Sequence, residues 1–288
     1  MDYPPPPPPN PPRPPKSGSN LWIIVVVAGV VVLAVFTAVA VGGVMFLRHA
    51  QAKREAVVSL QKSVAEEREK IAQSIKDRNF AQGDASVGHI KDTLDASTSQ
   101  LSGVDAAATR AMSKFLGKFQ ERLHEYGAAA EQLKQQKVLS WDVRERATIE
   151  TDRQIVHDFM DSNARLKDML EHSEGLLSAA LDAEKVPPQT RNATVAGYAK
   201  SQVLLFPLLM RVRQGDQTIG ENALAALDLL EVNWGKWTRD ESTGHLRFEN
   251  TVVRDAFNDH IRKINAAGAD QRKAQEEMLA HSKPAAGQ

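Results

Sequence analysis

Between Lys16 and Arg48 the chain carries no charged residue. Leu21 to Leu47 is a run of 27 residues, all apolar or glycine except Thr37. At about 1.5 Å per residue, such a helix exceeds the roughly 30 Å hydrocarbon core of a bilayer. A lone segment can cross that core only as a helix. Trp22 stands at one end, where an indole suits the interface. A cleaved signal peptide would need a shorter apolar core and a small-residue cleavage site after it. Here Phe46-Leu47-Arg48 follows instead. The run therefore predicts an uncleaved signal anchor: a single-pass transmembrane helix over residues 21–47, with the lipid bilayer as a partner.

Positive charge near the span does not settle its orientation. Arg13 and Lys16 precede it, and Arg48, Lys53, Arg54 and Lys62 follow. The count favours the large domain inside. Short N-terminal tails commonly stay inside, and large domains translocate largely regardless of charge. The expected arrangement is an extracytoplasmic domain behind an inside tail. Ala34, Ala38 and Gly42 recur at i, i+4 and i+8, a small-residue face on which two helices can approach closely. This face, with the stalk behind it, predicts a homodimer; the plainer account is that Ala and Gly are common in membrane helices.

Residues 1–20 differ from everything after them. Pro4 to Pro9 is unbroken, and Pro11, Pro12, Pro14 and Pro15 follow. Prolines at this density lack the N–H groups that helix and sheet need. The segment is expected to be a proline-rich, disordered tail of polyproline II character. Pro8, Pro11 and Arg13 match a PxxPxR spacing that aromatic grooves accept, although any polyproline run holding a base contains it.

Residues 48–80 read as a juxtamembrane stalk helix. Val57, Leu60, Val64 and Ile71 suit a coiled-coil seam, interrupted by Glu67 and Ser74. Residues 81–283 read as an antiparallel helical bundle domain. Leu101, Val104, Ala108, Met112, Phe115, Phe119, Leu123, Tyr126, Ala130 and Leu133 step by three or four, one face of a long helix. Ile155, Phe159, Leu166, Leu170, Leu177 and Leu181 form a second stripe at heptad spacing. Breaks are expected at Gly83-Asp84, near Leu139 to Asp142, at Pro187-Pro188 and at Gly215-Asp216. Ser140 or Asp142 is the expected N-cap of the second long helix. Pro207 should kink the apolar helix that contains it. Lys236 to Phe248 reads as a small β-hairpin, and a last helix begins near Thr251. The fold class is all-α with one small hairpin.

From Arg48 onward the chain holds 34 basic and 35 acidic residues. That balance argues against a nucleic-acid partner, which would show a basic stripe. Cysteine is absent, which excludes disulfides, thiolate zinc sites and cysteine nucleophiles. No phosphate loop, dinucleotide glycine pattern, G-x-S-x-G or H-E-x-x-H occurs, so no catalytic, cofactor or metal residue is assigned. Glu121 and His124 form one E-x-x-H, but a di-metal bundle site needs two. His157 and His172 lie about 22 Å apart along a helix axis, too far for one ion.

Trp234, Trp237 and Phe248 gather around the hairpin. They read either as a surface for a protein partner or as a plug closing the core. Two functional classes follow. One is a non-enzymatic membrane-anchored protein presenting its bundle for sensing, adaptor or envelope-scaffold interactions. The other is a membrane-tethered enzyme built from scattered carboxylates and histidines.

Overall fold

The computed structural model describes residues 62–63, 65–67, 69–71, 73–74, 80–99 and 101–282. The described residues between 62 and 74 are helical. Seven longer helices follow: α1 (Phe80–Thr98), α2 (Gly103–Gln135), α3 (Arg146–Glu171), α4 (Ser173–Ala183), α5 (Pro188–Gln202), α6 (Phe206–Val232) and α7 (Thr251–Ser282). A short 3-10 turn, Val138–Ser140, lies between α2 and α3. Strands β1 (Trp237–Arg239) and β2 (Leu246–Phe248) form an antiparallel hairpin between α6 and α7, with Trp237 opposite Phe248.

The two long stripes place the core. From Ala108 to Leu133 every residue of the first is buried, and Phe119, Leu123 and Tyr126 are fully so. All six residues of the second are buried, shared between α3 and α4. Each helix covers the stripe of its neighbour: α1 packs on α2, α2 on α3, α3 on α6 and α6 on α7, while α4 leans on α2 and α5 on α4.

Cross-helix contacts fix the directions. Ser113 bonds Asp95 near the α1–α2 turn, and His124 meets Asp84 at 3.1 Å farther along. Arg165 reaches Glu125 between α2 and α3 at 3.3 Å. Arg153 of α3 bonds Asp228 (2.8 Å) and Glu231 (2.6 Å) of α6. His260 of α7 meets Asn222 of α6 at 2.9 Å, and Arg211 pairs with Asp270. The α1–α2, α2–α3, α3–α6 and α6–α7 pairs are therefore antiparallel. The α2–α3 and α6–α7 connections share one end of the bundle, called here the hairpin end.

Of the expected stalk seam only Ile71 is among the described residues; it joins this packing together with Glu67 and Ser74, which interrupt the seam. Glu67, Ile71 and Ser74 are buried, and Ser63 meets Thr93 of α1 at 3.3 Å.

Several expected boundaries are corrected. Gly83-Asp84 lies inside α1, which ends at Thr98, and α2 begins at Gly103 with φ 58°. Ser140 ends the 3-10 turn, its hydroxyl donating to the Lys137 carbonyl at 2.6 Å, and Glu145 is the N-cap of α3. Pro207 makes no kink. It stands in the first turn of α6, where its missing N–H would have had no helical partner, and the chain turns just before it at residues 203–205. Gly215-Asp216 does not end a helix either; α6 runs through it, for reasons that lie in its contact with α7.

The membrane expectation is corrected as well. Among the described residues no helix is long and apolar enough to cross a membrane, so the structure lends the single-pass placement no support. The stretch Leu21–Leu47 that suggested it lies outside the described residues, as do the proline tail and the face of Ala34, Ala38 and Gly42.

Candidate protein-interaction groove

The aromatic residues singled out in the sequence meet at the hairpin end. Strand pairing sets Trp237 against Phe248. The Trp237 indole N–H donates to the Leu230 carbonyl at the end of α6 (2.9 Å), so this nearly buried ring is fully satisfied. Trp234 stands edge-on to Trp237, with ring centres 5.2 Å apart. Phe248 packs on Phe257 of α7 at 5.2 Å, and Trp141 from the α2–α3 connection packs edge-on to the same Phe257 at 5.3 Å. The cluster thus ties two connections that are far apart in sequence.

Its members differ in exposure. Trp237 is 8 % exposed and belongs to the core, whereas Trp234 is 37 % exposed. Trp234 is thrown outward by a turn after α6 in which Gly235 takes φ 81°, a conformation that favours glycine. Beside it lies a groove of about 370 Å³ lined by Val143, Arg144, Trp234, Trp237, Arg239 and Glu241, among others. Two further large apolar side chains are bared at this end: Val232, the last residue of α6, at 80 %, and Val252, in the first turn of α7, at 74 %.

The hairpin that holds the groove is built for rigidity. Asp240 accepts the Ser242 N–H (2.9 Å), the Thr243 N–H (3.2 Å) and the Ser242 hydroxyl (2.6 Å). Those hydrogen bonds, with the Arg247 charge, hold its carboxyl well below the usual range. Arg239 bridges inward, 3.4 Å from Asp142 and 3.6 Å from Glu241. Arg144 also reaches Asp142, at 3.1 Å. The groove rim is therefore polar and mixed in sign, around an apolar floor.

Set beside known protein families, curated proteins and solved structures, the chain matches none of them.

The remaining candidate residues do not gather. Glu121, His124, His157 and His172 are exposed, and His124 and His172 are each engaged with one aspartate. Among the described residues no group of three His, Cys, Asp or Glu side chains is placed to hold a metal ion. Asp152 on α3 is buried, and desolvation pushes its carboxyl up to about 6. It does not line the groove.

A second polar feature sits in the core, unmarked by any sequence pattern. Arg213 and Asp216 of α6 are fully buried, 3.1 Å apart. The Arg213 guanidinium lies 4.3 Å over the Tyr126 ring of α2, and the Tyr126 hydroxyl donates to Asp216 at 3.1 Å. Gln271 of α7 donates to both Asp216 Oδ1 (2.8 Å) and the Val212 carbonyl (3.0 Å). Asn163 of α3 donates to the Arg213 carbonyl at 3.0 Å. Burial pushes the Asp216 carboxyl up, while Arg213, Gln271 and Tyr126 oppose that push. The sequence puts Tyr126 in an apolar stripe and Asp216 in an expected break, so no local signal revealed this cluster.

Proposed function

We propose that the chain is a non-enzymatic interaction protein, a rigid helical bundle whose hairpin-end groove receives a partner protein in a sensing, adaptor or scaffold role. The observation that supports this reading is Trp234: a large ring left 37 % exposed at the edge of a 370 Å³ groove. Its neighbour Trp237, three residues on, is spent on the core. A partly exposed tryptophan over an apolar floor with a polar rim is the usual anatomy of a binding hot spot. Val232 and Val252 extend apolar surface at this end of the bundle. Exposed apolar regions rimmed by polar residues mark contact sites.

The test is selection of peptides from a random display library on the full chain, followed by calorimetric titration against the parent and Trp234→Ala. Binders weakened at least about tenfold by Trp234→Ala, a loss of roughly 1.4 kcal/mol, are expected. Binders indifferent to Trp234, or no binders at all, would overturn the reading.

A further inference from the structure

The buried cluster around Arg213 contains polar atoms with no protein partner, and their chemistry identifies what completes them. On the donor side stand Nε and Nη1 of Arg213, whose Nη2 has only the 3.1 Å ion pair with Asp216. On the acceptor side stand Oδ1 of Asn163 and Oε1 of Gln271. These three side chains are each at most 1 % exposed. A buried guanidinium with donors left orphaned beyond its ion pair is costly, because folding has stripped those donors of water.

Rotating the amides does not resolve the mismatch. Gln271 Nε2 faces two acceptors, the Val212 carbonyl and Asp216 Oδ1, so its oxygen cannot take that place. Asn163 Nδ2 faces the Arg213 carbonyl, which fixes its oxygen on the other side. Donors and acceptors are therefore orphaned together, within one region of α3, α6 and α7.

We infer that this core binds water, held by Arg213 together with Asn163 Oδ1 or Gln271 Oε1. An anion would satisfy the donors and leave the acceptors orphaned. It would also add charge to a pair, Arg213 and Asp216, that is already neutral. A cation would satisfy only the acceptors and would face the guanidinium. Water both donates and accepts, and buried water commonly makes about three such bonds. The site lies where the α2–α3 pair meets the α6–α7 pair, since Tyr126 and Asn163 come from the first and Gln271 from the second. That seam is hydrated, although the stripes on either side of it are apolar.

Oxygen-17 relaxation dispersion of water on the full chain tests the inference, because it counts waters held far longer than the surface layer. The comparison is Arg213→Met/Asp216→Met, which removes the ionic groups. Loss of about one to two long-lived waters in the variant is expected, and an unchanged count overturns the proposal. Should the variant fail to fold, a crystal of the parent soaked in bromide decides. A water peak bridging Arg213 to Asn163 or Gln271 without anomalous signal is expected. A dry cluster, or a bromide peak, overturns it.

Discussion

Arg213 and Asp216 sit one helical turn apart on α6, 3.1 Å from each other, and neither exposes any surface. Such a pair is a poor indicator of stability, because desolvating two charges offsets most of their attraction. Breaking it is another matter. Arg213→Met leaves Asp216 charged and unpaired in the core and should cost about 3–5 kcal/mol. Arg213→Met/Asp216→Leu should recover most of that loss. Urea unfolding of the parent, the single variant and the double variant checks both statements. A double variant as unstable as the single would show that the pair stabilises the fold outright.

Asp152 makes stability depend on pH in the opposite direction from an ordinary carboxylate. Burial raises its folded value to about 6, above the value near 4 of an unfolded chain. The fold therefore prefers the neutral acid, and stability from this group is present below pH 4 and lost as pH rises through 6. Asp152→Asn should raise stability at pH 7.5 by on the order of 1–3 kcal/mol. At pH 4 the two proteins should unfold alike. Equal differences at both pH values would assign the effect to packing.

Glycines of the bundle should divide by what lies above them. A Cβ on Gly215 would come 2.5 Å from Gln271 Cγ, and Gln271 cannot withdraw while it bonds Val212 and Asp216. Gly215→Ala should cost about 1–3 kcal/mol by overpacking, in spite of the better helix former. Gly175 on α4 faces open space, so Gly175→Ala should gain roughly 0.5–1 kcal/mol. Thermal unfolding of the two variants gives shifts of opposite sign if this contact is real.

The two tryptophans of the groove should separate structure from recognition. Trp237→Ala opens a cavity behind the hairpin and should cost about 3–5 kcal/mol. Trp234→Ala should cost under about 1.5 kcal/mol, because more than a third of the ring already meets water. Denaturant midpoints for both variants provide the check, and comparable losses would place Trp234 in the core as well.

Periodicity made the bundle readable from the sequence. Of ten apolar positions stepping near 3.6, the eight from Ala108 to Leu133 line the buried face of α2, whereas Leu101 precedes that helix and Val104 is 38 % exposed. Six more at heptad spacing located α3 and α4, because burying a helix face demands that recurrence. The proline break before α5, the hairpin and the start of α7 were legible for equally local reasons. Positions where a residue serves another helix were not. Gly215 reads as a breaker by propensity, yet its missing side chain admits Gln271 from 56 positions along the chain. Pro207 reads as a kink, yet it begins a helix. The aromatics at 234, 237 and 248 were visible in the sequence. Val143, Arg144 and Arg239 were not, since only the antiparallel return of α6 on α3 brings the two connections together.

The groove has one wall from the α2–α3 connection and the other from the α6–α7 connection. Neither half of the chain can form it alone, and a frayed bundle has no groove to offer. Occupancy and folding are therefore thermodynamically linked. A ligand present at a hundred times its dissociation constant would add about 2.7 kcal/mol to the stability of the whole domain. Melting temperature is thus a usable reporter for compounds or peptides that seat at Trp234, whatever the natural partner is.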